Sequence, residues 1–123
     1  MKNNKPLEGI KIIEISTIIT ASLSAMMLAD QGAEVVKIEQ TGFGDPLRYL
    51  GTQKGGISAI FANVNRGKSS VELDLKKSRD NLVKVLRPLP FPEESIIAIS
   101  NMTHNLPPEF GIRASKQFRL FCM

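Results

Sequence analysis

The chain has 123 residues, 42% of them hydrophobic and 23% charged, which suits one globular domain and excludes collagen-like, coiled-coil and wholly disordered classes. The formal net charge is +4, but the excess of Lys and Arg lies mostly in the last third and no basic stripe alternates with aromatic residues, so a nucleic-acid partner is not expected. One cysteine (Cys122) and one histidine (His104) allow neither an intrachain disulfide nor a zinc cluster, so no metal is expected.

The opening has Lys2 and Lys5 before an apolar stretch, faintly like a secretory signal. Glu8 and Glu14 interrupt it, and no uncharged run reaches the roughly 18 apolar residues needed to cross a bilayer. The expectation is a cytoplasmic protein with no membrane partner. Residues 10–15 (IKIIEI) are β-branched and bounded by Gly9 and Ser16, which predicts a buried strand. Residues 20–31 predict a helix with Leu23, Met26 and Met27 on one face, Thr20 or Ser22 as cap, and Gly32 as terminator. Residues 34–39 (EVVKIE) predict a second strand. Strand, helix and strand within about 30 residues form a βαβ unit, whose strands are parallel and whose crossover is right-handed.

Residues 40–56 carry five glycines and Asp45-Pro46, the composition of a loop. Residues 57–64 predict a short helix or irregular packed segment, and 65–68 (NRGK) a turn. Residues 70–75 (SVELDL) alternate with period two and predict a third strand; residues 78–87 predict a helix capped by Ser78. Pro88 ends that helix. Five of the seven prolines lie at or after it, while eight of the nine glycines lie at or before Gly67. That shift divides the chain into residues 1–87 and an irregular, Pro-rich tail at 88–123. Within residues 93–104 the one apolar patch is Ile96-Ile97-Ala98-Ile99, without an amphipathic period.

A helix opening just after a parallel strand aims its first N–H groups and positive dipole end at any anion there. In open α/β sheets, ligands sit beyond the carboxyl ends of the strands. Residues 15–20 (ISTIIT) match neither the Gly-x-Gly-x-x-Gly nor the Walker pattern, so this geometry alone does not choose between a nucleotide binder and another βαβ domain.

Four segments sharpen the reading: residues 6–16 (PLEGIKIIEIS), 27–39 (MLADQGAEVVKIE), 42–48 (GFGDPLR) and 65–76 (NRGKSSVELDLK). In this order and spacing they resemble the opening of type III CoA-transferases, the family of formyl-CoA transferase, carnitine CoA-transferase and alpha-methylacyl-CoA racemase. The resemblance implies a Rossmann-like large domain that binds coenzyme A, acyl-CoA and carboxylic-acid substrates, and interlocked homodimers, which a chain this short makes doubtful. The expected fold class is therefore α/β, an incomplete Rossmann-like parallel sheet of a βαβ unit plus a third strand and helix.

By the same resemblance, the transferases use an aspartate as covalent nucleophile. The racemase branch instead moves a proton beside the thioester. Position by position, the CoA-facing residues implied are Ile19 and Thr20 after the first strand, Gln40 after the second where the family often has a basic residue, and Leu73, Asp74, Leu75 and Lys76 at the third. Lys76 is placed to pair with a phosphate. Against these stand plainer readings: Ile19 as packing, Lys76 as a solvated lysine. Ala21-Ser22 replaces the Gly-Pro that the family usually has. The pattern fades after Arg87, and neither Asp74 nor Asp80 lies in the segment of the family's nucleophile, so no catalytic residue is assigned. Residues 88–123 read as an unrelated ending, such as a frameshift or truncated gene would give. The functions weighed are CoA transfer between carboxylic acids, a CoA-binding module without catalysis, and a remnant without ligand.

Overall fold

The computed structural model describes residues 5–74 in full, with the backbone of residues 96–100 and 119–122. The elements are β1 (Lys11–Ile15), α1 (Thr20–Asp30), β2 (Glu34–Gln40), a 3-10 turn (Pro46–Tyr49), β3 (Gln53–Lys54), β4 (Ile57–Ser58), α2 (Ala59–Val64), β5 (Lys68–Leu73), β6 (Ile96–Ser100) and β7 (Arg119–Cys122). β3 and β4 form a small antiparallel hairpin. The other strands make one parallel sheet in the order β5-β2-β1-β6-β7.

Chain order reverses direction at β1. The connection to β2 leads one way across the sheet, and β6 lies on the other side. This is the order of the first five strands of a doubly wound α/β sheet, and its switch point lies between β1 and β6. The βαβ unit and third strand read from the sequence are all present. The tail departs from the expected irregular chain by adding β6 and β7, since a four-residue apolar patch is too short to reveal a strand by period. The helix expected at residues 78–87 lies outside the described residues.

All five residues of β1 are buried, as in strands covered on both faces. Ile12 and Val35 are paired across β1 and β2, and so share a face. They pack with Ala21 and Ala25 of α1 and with Ala33, and Leu7, Ile10, Leu28 and Ala29 close around them. The helix thus meets the sheet through Ala21, Ser22, Ala25 and Met26. Leu23 and Met27, expected on one face with Met26, are exposed while Met26 is buried. Small side chains let the helix axis come close to the sheet, and this close approach outweighs the larger apolar face.

Neither Thr20 nor Ser22 caps α1. The cap position is Ile19, with no side-chain hydrogen bond. Gly32, with φ of 104°, ends the helix in the left-handed region, as glycine there should. No helix among the described residues is long and apolar enough to cross a membrane.

Candidate functional site

Period two along β1 sends Glu14 and Ser16 to the face that carries Ile12, under the start of α1. Lys37 stands opposite Glu14 on β2. The apolar row of the core therefore gives way, toward the carboxyl ends of the strands, to a buried charged row. Lys37 Nζ donates to Glu14 Oε1 at 2.6 Å and to Ser22 Oγ at 3.0 Å. Lys68, at the start of β5, donates to Glu14 Oε2 at 2.6 Å, to the Ser22 carbonyl at 2.7 Å and to Asn65 Oδ1 at 3.0 Å. Hydroxyls of Ser16 and Ser22 complete the shell of Glu14 Oε1.

Asp45 closes the cluster from the Gly-rich loop. Its Oδ2 lies 2.9 Å from Lys37 Nζ, a charge contact without hydrogen-bond alignment. Its Oδ1 accepts from Leu47 N at 2.9 Å, which starts the 3-10 turn, and from Ile18 N at 3.1 Å. Two lysines meet two carboxylates, so the cluster is neutral overall and can sit out of water. Burial works to raise the Glu14 carboxyl, but the charge and hydrogen bonds of Lys37, with those of Lys68 and Ser16, hold it below the ordinary carboxylate value. Burial pushes the Lys68 ammonium down, and Glu14 offsets only part of that.

A second cluster fixes the same loop from β2. Arg48 grips Glu39 with two bonds of 2.7 Å, and its guanidinium lies 4.0 Å from the centre of the Phe61 ring. Ser70 Oγ donates to Glu39 Oε1 at 2.6 Å, and Asp45 N donates to Oε2 at 2.9 Å. Burial alone would raise the Glu39 carboxyl. The Arg48, Ser70 and Asp45 hydrogen bonds and the Arg48 charge overcome it and bring the pKa from 4.5 to about 2.

A depressed folded pKa means that the unfolded chain binds more protons in the interval between the two values. Stability from Glu39 is therefore complete above about pH 4.5 and is lost as pH falls toward 2. Chemical denaturation across that interval should show wild type losing stability more steeply than Glu39→Gln. Parallel pH slopes for the two proteins would refute this.

The residues singled out from the sequence fall as follows. Ile19 and Thr20 are exposed at the start of α1, just beyond β1. Gln40 is exposed at the end of β2 and is paired in register with Leu73, the last residue of β5. Asp74 follows, half-buried. Parallel pairing thus gathers these five at one edge, the carboxyl edge of the sheet. Leu75 and Lys76 lie outside the described residues, as do Asp80 and His104. Arg66 is bound to Asp30 at 2.6 Å. No group of three or more His, Cys, Asp or Glu among the described residues is placed to hold a metal.

Sequence reasoning missed the buried cluster, although a signal was there. Glu14 shares its strand parity with Ile12, and Lys37 with Val35, so each sits on a core face where a charge requires a partner.

Beyond that edge, the family model described as CoA-transferase family III matches residues 7–113. The chain belongs to CoA-transferase family III. The match runs past residue 87, where the sequence pattern fades. Human succinyl-CoA:glutarate CoA-transferase is 38% identical over 90 residues, which are 72% of this chain and 20% of the human protein. Acetyl-CoA:oxalate CoA-transferase of Acetobacter aceti is 35% identical over 82 residues, 67% of this chain and 21% of that protein. The chain thus spans about a fifth of the length of these curated relatives. Among solved structures, a CAIB/BAIF family protein from Brucella suis superimposes with a TM-score of 0.65 at 30% identity, covering 81% of this chain and 26% of that one. Rv3272 from M. tuberculosis gives a TM-score of 0.70 at 25% identity, covering 94% and 33%. The two curated relatives carry names that describe CoA transfer between acids, and the α/β fold is shared with the two solved structures.

Proposed function

We propose that the carboxyl edge of β1, β2 and β5 binds the nucleotide end of coenzyme A, and that this CoA-transferase family III chain contributes that binding to CoA transfer between carboxylic acids in the cytoplasm. The observation that carries the reading is the meeting of Ile19, Thr20, Gln40, Leu73 and Asp74 at one sheet edge beside the switch point. α1 opens there without a side-chain cap, and the first N–H groups of a helix have no acceptor within it. Together with the dipole, they suit the anionic phosphates of CoA.

In this reading Ile19 and Thr20 approach the ligand through backbone, Gln40 and the residues 73–75 line its path, and Lys76 neutralises a phosphate. The CoA-facing part of the large domain comprises residues 1–87. No residue of that segment is assigned to the covalent chemistry. Asp45 is committed to structure, with one oxygen on two backbone amides and the other beside Lys37.

Calorimetry with CoA on the 123-residue chain, after circular dichroism confirms folding, tests this. Saturable binding is expected. Lys76→Ala should weaken it about tenfold, the loss of one charge-assisted contact to phosphate. A folded chain that takes up no CoA would sink the proposal.

A further inference from the structure

Ile18 is the one residue other than glycine with a positive φ, 65°, among the described residues. A β-branched side chain is disfavoured in that conformation, so something outside the loop must hold it there. Ile18 is itself exposed, so burial in the core does not hold it. What reaches the loop is Asp45, 27 positions further along, whose Oδ1 accepts the Ile18 amide at 3.1 Å.

Asp45 is equipped for this task. It is 1% exposed, so water does not compete for its oxygens. The same Oδ1 accepts Leu47 N, which locks the carboxylate to its own loop. Lys37 sits 2.9 Å from the other oxygen and supplies the positive charge that makes a buried carboxylate tolerable. Glu39 in turn accepts the Asp45 amide, so the backbone at Asp45 is also fixed. The Gly-rich loop after β2 therefore reaches across to the loop after β1 and sets its shape.

We infer that Asp45 is a positioning residue for nucleotide binding: by accepting the Ile18 amide it fixes the left-handed turn that presents Ile19 and Thr20 at the sheet edge. The inference rests on the reading of that edge as a CoA site, and it adds that affinity is governed by a buried side chain from a different loop, which does not touch the ligand.

The test titrates CoA into wild type, Asp45→Ala, Asp45→Asn and Ser58→Ala, with amide NMR spectra of each. Ser58 caps α2 and bonds the Leu50 carbonyl, so its loss destabilises the chain without touching the Asp45–Ile18 contact. Asp45→Ala is expected to lose at least tenfold in affinity and to shift the amides of residues 18–20 before any ligand is added. Asp45→Asn keeps an acceptor oxygen and should recover most of that affinity, with the Ile18 amide near its wild-type position. Ser58→Ala should bind as wild type does.

A folded Asp45→Ala with wild-type affinity, or with unmoved amides at residues 18–20, overturns the inference. So does an equal loss in Ser58→Ala, which would make the effect one of general stability. If Asp45→Ala does not fold, Asp45→Asn decides. Affinity and the Ile18 amide shift must then change together, and a loss of affinity with an unchanged Ile18 amide overturns the inference. A wild type that ignores CoA removes the nucleotide reading alone; the coupling of Asp45 to the loop then stands or falls on the amide shifts without ligand.

Discussion

Lys37→Met should cost about 3–5 kcal/mol of folding stability, the usual penalty for removing one partner of a buried ion pair. Methionine fills much of the same volume, so the loss is electrostatic rather than a cavity. Lys37 serves Glu14 and Asp45 together. Lys68 would still face Glu14, but Asp45 Oδ2 would lose the ammonium beside it, and both serine hydroxyls would lose a donor. Against a typical total of about 5–15 kcal/mol, such a loss removes a large fraction of the stability, and at the low end of that range it leaves much of the chain unfolded at room temperature. Urea denaturation followed by circular dichroism reads it directly. A midpoint within experimental error of wild type would show that the cluster is not dry, as drawn from its burial.

Ala25→Leu should overpack the contact between α1 and the sheet, costing about 1–3 kcal/mol or preventing docking altogether. Ala25 is fully buried against the core formed by Ile12, Ala21, Ala33 and Val35. Extra methylenes there must push the helix off the sheet or force strained rotamers. Met27→Ala is the control. Met27 is 55% exposed, and its truncation should fall within about 0.5 kcal/mol of wild type. Thermal melts of the two variants separate the alternatives. A stable Ala25→Leu beside a crippled Met27→Ala would mean that the helix packs through the large apolar face instead.

That pair of variants marks where the sequence was readable and where it was not. The βαβ unit was legible because β-branched runs flank a helix that ends on Gly32, and these are local signals. The packing face of the helix was not. Hydrophobicity favoured Leu23, Met26 and Met27, but only Met26 is buried, since close approach selects small side chains. Turn residues were legible one step short of their role: Asp45-Pro46 announced a turn, while the reach of Asp45 to Ile18 depends on a fold that joins two loops. At the candidate site, Gln40 and Leu73 came from the family resemblance, and strand register makes them neighbours. β6 and β7 escaped because their strand character comes from the partner strand and not from their own pattern.

The placement of β6 beside β1 has a consequence for how this architecture assembles. β1 finds β2 across a short helical crossover, yet its other edge waits for Ile96–Ser100, which is made only after β2, the β3–β4 hairpin and β5. Pairing over so long a stretch of chain costs loop entropy before any contact repays it, and non-local pairings form late. During synthesis the central strand therefore carries an open, apolar hydrogen-bonding edge for most of the chain's length. Of the interior strands β2, β1 and β6, the one that anchors the core is the one longest exposed to pairing with the wrong neighbour.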